Sequence, residues 1–259
     1  MRRLKWYHTF LILVLLLSIP FYIWGALSPV SGLPFGLPIS FLMVFVPCGL
    51  SLYEAWKREK ADGIKRLFRS ILDVRNARDW ALAASLLVMP CISLLAFMAQ
   101  THMSSGLPEP ITVSYSNLPL MLLLYFLGAI PEEFAWTSTL TSPMTKKYGP
   151  VMAGIWIGLV WGIWHIIPWS WAHPAWWIGG MLLLNLLFRV FMVFLYEFGG
   201  RSLFPSLLFH MMINVCTGLF PNNGSHFNPW IFCVGFIAVV GTQIGYFGQA
   251  HNKKTGNWL

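Results

Sequence analysis

Long apolar segments recur along the whole chain and are separated by short polar stretches. Each segment is about 20 residues long, which is the length that an α-helix needs to cross the hydrocarbon core of a bilayer. The pattern therefore predicts an all-α, polytopic integral membrane protein with eight transmembrane helices. The predicted spans are 7–27, 36–55, 80–99, 118–141, 150–168, 176–197, 203–220 and 229–249.

The composition supports a membrane protein and argues against a soluble one. Hydrophobic residues make up 57% of the chain and charged residues only 10%, whereas soluble domains carry about 25% charged residues. The net charge of +8 could indicate a nucleic-acid partner. We predict none, because the basic residues lie between the spans, where anionic lipid explains them. The lipid bilayer, most simply the plasma membrane, is the expected environment.

The distribution of basic residues predicts the topology. Of the 17 Lys and Arg residues, 16 lie at the termini or in the loops on one side of the predicted spans. The loops on the opposite side carry none. Because basic loops stay in the cytoplasm, both termini are predicted to be cytoplasmic.

We expect one membrane domain with three parts. Residues 1–117 supply spans 1–3 and a basic cytoplasmic loop at 56–79, residues 118–220 form the core with spans 4–7, and residues 221–259 supply the last span and a basic tail. Apolar residues at helical spacing predict that the loop forms an amphipathic helix on the cytoplasmic leaflet, with a solvated linker helix as the alternative. These apolar residues are Ile64, Leu67, Phe68, Ile71 and Leu72.

Two adjacent carboxylates, Glu132 and Glu133, lie in the fourth span. An ionisable residue at the centre of a span costs about 2.5–3.5 kcal/mol on insertion scales, so such residues face the protein interior and mark function. Pro131 precedes them and predicts a kink or a local opening of the helix. Neighbouring helical residues point about 100° apart, so the two carboxylates are expected to have different roles.

A histidine lies in the glycine-rich fifth span. Gly154, Gly158 and Gly162 recur every four residues, a spacing that lets helix backbones approach closely. His165 lies nearly on the same face as Gly158 and is expected to point toward neighbouring helices. Counted from the cytoplasmic end of its span, His165 lies deeper than Glu132. A single site therefore requires that the fifth helix starts outside the bilayer, tilts or is displaced.

The seventh span carries a polar stripe. Ser206, His210 and Asn214 recur at four-residue spacing, and Thr217 continues the line. Such a stripe on an apolar helix indicates either a functional site or hydrogen bonds between helices.

One arginine lies inside a span. Arg189, in the sixth span, is the basic residue that falls outside the loops and termini, and Asn185 lies four residues before it. A cation in the membrane needs a carboxylate or a set of carbonyl groups. Glu132 or Glu133 is the expected partner, and Glu197 at the end of the same helix is a weaker candidate.

Together these side chains could hydrolyse a bond. A glutamate can act as a general base on water, histidines can orient that water or donate a proton, and an asparagine amide can stabilise an oxyanion. Glu132, His165 and His210 are also candidate ligands for zinc, although the chain contains no HExxH motif. A zinc-held water and a metal-free, glutamate-held water both remain open.

Three short motifs, each on its own span, resemble those of a known family. "PEEFAW" is similar to a first motif, EExxxR; "WGIWH" to a second, with an aromatic residue four positions before a histidine; and "HMMIN" to a third, HxxxN. Over residues 118–220 the chain resembles the CPBP intramembrane proteases. These include the type II CAAX prenyl endopeptidases and bacteriocin-processing and immunity-type membrane proteins of the Abi families.

The resemblance implies a membrane-embedded endopeptidase with an eight-helix core, acting on a membrane-associated peptide or protein, prenylated or not. It implies that Glu132 activates the water with help from His165, and that His210 and Asn214 stabilise the oxyanion. Glu133 would support these residues. Trp161 is the aromatic residue of the second motif and a supporting residue.

The chain departs from the first motif at one position. Thr137 stands where the pattern has an arginine, so two interpretations remain. Arg189 supplies the missing cation from the sixth span, or the site is degenerate and the protein is a membrane scaffold, an immunity factor or a regulator. A transporter is a third interpretation, but the chain lacks an inverted repeat.

Overall fold

A computed structural model describes residues 5–28, 39–103, 117–220 and 227–255 of the chain. Within these ranges the chain is helical with short connecting turns and no β-strand, which confirms the predicted all-α class. Most of three loops predicted to lie opposite the cytoplasm, and the ends of the chain, fall outside the described residues. The orientation of the termini therefore stays a prediction.

Eight α-helices make up the described part of the chain: α1 Trp6–Leu27, α2 Phe45–Arg69, α3 Asp79–Met103, α4 Leu118–Glu133, α5 Thr141–Ser170, α6 Ala175–Phe198, α7 Phe204–Leu219 and α8 Pro229–Thr255. Short 3-10 helices at Ile39–Val44 and Ser70–Leu72 flank α2. A π-helix at Phe134–Thr139 joins α4 to the turn before α5.

Seven helical segments in the described residues are long and apolar enough to cross a membrane, which supports the predicted polytopic class. The seventh predicted span, 203–220, is not among these seven. It corresponds to α7, which has 16 residues and is about 24 Å long at 1.5 Å per residue. Much of α7 is buried, and it packs between α3 and α4. Its surroundings are therefore largely protein, which relaxes the length that a lipid-facing helix would need.

Helices α5 and α6 pack at close range. A methyl group added at Gly154 would lie 2.6 Å from the Cα atom of Val190, and one added at Gly158 would lie 2.8 Å from the Cα atom of Leu186. The backbone contact predicted from the glycine spacing is therefore present. Helix α6 also packs on α7 and α8, so the residues along its centre lie in the interior of the bundle.

The fifth helix starts earlier than its predicted span. Helix α5 begins at Thr141 and bends at Gly149, where φ is 77° and only glycine is readily accommodated. Pro150 follows the bend. The segment before Gly149 thus has its own direction, and the depth of α5 in the bilayer stays a prediction.

The basic loop packs onto the protein. The helical path of α2 breaks at Glu59 and Lys60, where Lys60 has a φ of 52°. Beyond the break, Leu67 is buried in a small apolar cluster beneath α4 and α7, while Phe68 and Leu72 stay exposed. The other buried members of this cluster are Ala129, Phe134, Leu203 and Leu207. The loop helix is therefore amphipathic, as predicted, but one side of it binds the bundle itself.

Candidate active site

The helix opens after the paired glutamates and not at the proline before them. Helix α4 continues through Pro131 to Glu133, and the π-helix begins at Phe134. The expectation of an opening at Pro131 is therefore wrong by about one turn, because α4 accommodates a proline inside its last turn. A π-helix widens the turn and is frequent at functional sites. Here both glutamates lie next to it and are buried.

The carboxylate of Glu133 is saturated with hydrogen bonds. Arg189 donates from Nη1 to Oε2 and from Nη2 to Oε1, each at 2.7 Å. His210 contacts Oε1 through Nδ1 at 2.7 Å, and the hydroxyl of Thr137 donates to Oε2 at 2.6 Å. Each oxygen thus accepts two bonds, which matches the capacity of a carboxylate.

The ion pair predicted for Arg189 is therefore present, and its partner is Glu133. Arg189 is 1% exposed and Glu133 is fully buried. The guanidinium also lies over the ring of Trp161, with its Cζ atom 3.9 Å from the ring centroid, a favourable cation–π position. These contacts join α4, α5, α6 and α7 at one point. Thr137, at the position where the motif has an arginine, binds the same carboxylate.

Glu132 has a different environment. Its Oε2 accepts hydrogen bonds from the indole nitrogens of Trp161 at 2.7 Å and Trp136 at 3.3 Å. Within the described residues no hydrogen bond reaches its Oε1. The two neighbouring carboxylates thus have different environments, as the 100° separation predicted. Both oxygens of Glu133 accept hydrogen bonds, whereas Glu132 keeps one oxygen available to a small molecule.

Each of the two histidines uses one ring nitrogen, Nδ1, for a hydrogen bond. The Nδ1 atom of His165 lies 2.8 Å from the carbonyl oxygen of Trp161, and because a carbonyl only accepts, this nitrogen carries a proton. The Nδ1 atom of His210 faces the Glu133 carboxylate and is a donor for the same reason. In both rings Nε2 has no hydrogen-bond partner among the described residues. His210 is buried and His165 is half-buried.

Trp161 connects the three motifs. Its indole nitrogen binds Glu132 and its carbonyl oxygen binds His165. Its ring makes edge-to-face contacts with the rings of His165 at 5.4 Å and His210 at 5.5 Å. Both histidines therefore contact the ring that binds Glu132, and His210 also binds Glu133 directly. The sequence identified Trp161 only as a supporting aromatic residue, whereas the structure makes it the common neighbour of the candidate site.

The polar stripe of α7 does not form a continuous network. Thr217 bonds back to the carbonyl of Ile213 in its own helix, and the buried hydroxyl of Ser206 has no hydrogen-bond partner in the described region. Asn214 is half-buried, one turn from His210, and makes no hydrogen bond with the described residues. His210 is thus the stripe residue that joins the glutamates directly, and the role expected for Asn214 stays a prediction.

Two contributors, Trp136 and Thr137, were not among the candidate site residues. Each lies four residues after the glutamate that it binds, so the i, i+4 spacing was the available signal. Asn185 was noted only for its spacing from Arg189. It is buried, and its amide nitrogen has no partner among the described residues.

The candidate metal ligands do not form a three-ligand centre. No group of three His, Cys, Asp or Glu side chains in the described part of the chain is arranged to hold a metal ion. Glu132 and His165 each use one atom to bind Trp161, and His210 uses one to bind Glu133.

Comparison with protein families gives a match that covers the candidate site. Residues 114–216 match the model of a family described as "Rce1-like: Type II CAAX prenyl endopeptidase Rce1-like". The matched segment contains all three motifs and every candidate site residue from Glu132 to Asn214. No curated protein matches the chain significantly.

Proposed function

Because residues 114–216 match the model of the type II CAAX prenyl endopeptidase family, we propose that the protein is an intramembrane endopeptidase. It hydrolyses a peptide bond with a water activated by Glu132. The observation that carries the proposal is the difference in hydrogen bonding between the two carboxylates. Glu133 has four hydrogen bonds, whereas both bonds to Glu132 fall on Oε2.

The free oxygen of Glu132 suits a general base. A water bound at Oε1 of Glu132 donates its other hydrogen to the unprotonated Nε2 atom of neutral His165. Its oxygen attacks the peptide carbonyl carbon as Glu132 takes the proton, and a tetrahedral oxyanion forms. The carbon–nitrogen bond then breaks, and Glu132 returns the proton to the leaving amine. General-base catalysis of this kind contributes about 10²–10⁴-fold in rate.

His210 is placed to stabilise the oxyanion. Its Nδ1 atom bonds to Glu133, and in the doubly protonated ring Nε2–H is a donor for developing negative charge. Asn214, one turn along α7, is the second donor in this proposal. Arg189 acts through Glu133 and fixes the orientation of the histidine, so it is a positioning residue.

The cation expected from the first motif has a replacement in this chain. Arg189 reaches the motif from α6 and binds Glu133 in a bidentate manner. The substitution at Thr137 therefore does not leave the carboxylates without a positive partner. This favours an active enzyme over a degenerate scaffold or immunity factor.

The substrate proposed is a membrane-associated peptide or protein, and the name of the matched family makes a prenylated C-terminal peptide the first to test. The full-length protein would be reconstituted into vesicles with a quenched fluorescent peptide that carries a farnesylated CAAX sequence. A peptide without the prenyl group would be tested in parallel. The expected location is the plasma-membrane fraction.

The decisive variant is Glu132→Gln, which keeps the size of the side chain and removes the base. Cleavage is expected to fall by at least about 10²-fold, with the unfolding transition unchanged. Glu197→Gln is the matched control, because Glu197 is an acid of the same bundle that binds Ser142 and Arg201 outside the site. Equal cleavage by Glu132→Gln and wild type would refute the mechanism. The scaffold interpretation would be favoured by two results together. The wild-type protein would cleave neither peptide, and the Glu132→Gln variant would replace the wild-type protein in cells without a change in phenotype.

A further inference from the structure

A groove of about 670 Å³ opens between α3, α6 and α8, and none of its lining residues belongs to the candidate active site. It lies at the end of the bundle where α3 begins and α8 ends, which is the predicted cytoplasmic side. Trp80 and Phe247 line it with their rings in contact, at a centroid distance of 5.3 Å, and the buried ring of Phe191 also lines it. A groove of this size falls in the range of ligand-binding sites, about 300–1,000 Å³.

The length of the groove corresponds to one leaflet of a bilayer. Its lining on α3 runs from Trp80 to Val88, which is about 12 Å at 1.5 Å per residue. Half of the hydrocarbon core of a bilayer is about 15 Å thick. An apolar groove that begins at a helix end and reaches this depth fits one acyl chain of that leaflet.

The opening of the groove is cationic. Arg78 lies there immediately before α3, is exposed, and forms no ion pair with a described residue. The N-terminal end of a helix adds partial positive charge. Asp79 is exposed beside it, but no carboxylate is among the described residues that line the groove. This charge favours an anionic head group over a zwitterionic one.

A half-buried amide lies farther inside the groove. Gln243 lines the groove one turn deeper along α8 than Phe247. Its Oε1 atom is buried, whereas its NH₂ group is not among the buried atoms and makes no hydrogen bond with the described residues. This NH₂ group is the donor at the level where a lipid with its phosphate on Arg78 has ester carbonyls.

We propose that this groove binds one anionic glycerophospholipid. An acyl chain lies between α3 and α8, the phosphate contacts Arg78, and an ester carbonyl accepts a hydrogen bond from Gln243. This site is independent of the proposed peptidase activity, because none of its residues belongs to the candidate active site.

The test uses the full-length protein in a mild detergent, titrated with dioleoyl phosphatidylglycerol or dioleoyl phosphatidylcholine and observed by native mass spectrometry. One phosphatidylglycerol is expected to bind in preference to phosphatidylcholine. Arg78→Gln should weaken this binding roughly fivefold, the effect of one basic residue at an anionic lipid. Arg75→Gln is the matched control, because Arg75 is an exposed arginine of the same turn that does not line the groove.

A second pair of variants tests the acyl chain. Ala84→Trp fills the groove and should abolish the bound lipid, whereas Leu87→Trp adds the same bulk at an exposed position of α3 outside the lining. If Ala84→Trp loses its unfolding transition, Thr242→Trp fills the groove from the opposite wall. Equal binding of the two lipids, equal effects of Arg78→Gln and Arg75→Gln, or lipid retained in the filled groove would each overturn the proposal.

Discussion

Replacing Arg189 by methionine should destabilise the protein strongly. The change keeps an unbranched side chain and removes the charge, so the fully buried Glu133 keeps only its bonds to His210 and Thr137. Removing one partner of a buried ion pair costs about 3–5 kcal/mol, because the other charge stays buried without compensation. We expect the free energy of unfolding to fall by that amount.

The size of this effect follows from burial and geometry. The Arg189 pair has two bonds of 2.7 Å and exposures of 1% and 0%. Arg201 forms a 3.0 Å salt bridge with Glu197, but 68% of its side chain is exposed. Solvent-exposed pairs contribute about 0–1 kcal/mol. Arg201→Met is therefore the matched control, and it should lower the free energy of unfolding by less than about 1 kcal/mol.

A double variant separates the ion pair from its surroundings. Arg189→Met combined with Glu133→Gln removes both charges, so the loss should be smaller than the sum of the two single losses. Unfolding in mixed micelles can be followed by the fluorescence of the 14 tryptophans. Two results would show that the buried pair does not hold the site together. Either Arg189→Met lowers the free energy of unfolding no more than Arg201→Met does, or the double variant lowers it by the full sum of the two single variants.

Two further predictions concern the surroundings of the site. Trp161→Phe removes the 2.7 Å hydrogen bond to Glu132 and should lower cleavage by roughly tenfold to a hundredfold, since a hydrogen bond to a charged group contributes about 1.5–3 kcal/mol. Trp136→Phe removes a 3.3 Å hydrogen bond to the same carboxylate and should lower cleavage less. The opposite order would contradict the assignment of Trp161. Gly158→Ala places a methyl group 2.8 Å from the backbone of α6 and should lower the free energy of unfolding by about 1–3 kcal/mol. Gly128→Ala, with open space around the added methyl group, should be nearly neutral, and equal unfolding of these two variants would argue against close α5–α6 packing.

The helical class and most candidate residues were readable from the sequence, because a bilayer makes local patterns unusually informative. Apolar runs of spanning length predicted helices that the structure confirms, and the glycine spacing predicted the contact between α5 and α6. A charged residue in a span is costly, so Arg189 and the two glutamates could be singled out, and Arg189 could be expected to meet one of them. The i, i+4 contacts of Trp136 and Thr137 are equally local.

The tertiary structure decided which groups meet. Glu132 and Glu133 are neighbours in sequence, and only the rotation of α4 against α6 and α7 determines which of them faces Arg189. The position of the π-helix, the packing of Leu67 beneath the bundle and the place of Trp161 between the motifs depend in the same way on several helices at once. A local pattern fixes how a residue points from its own helix. The partner it reaches depends on how the helices pack, which is a property of the whole bundle.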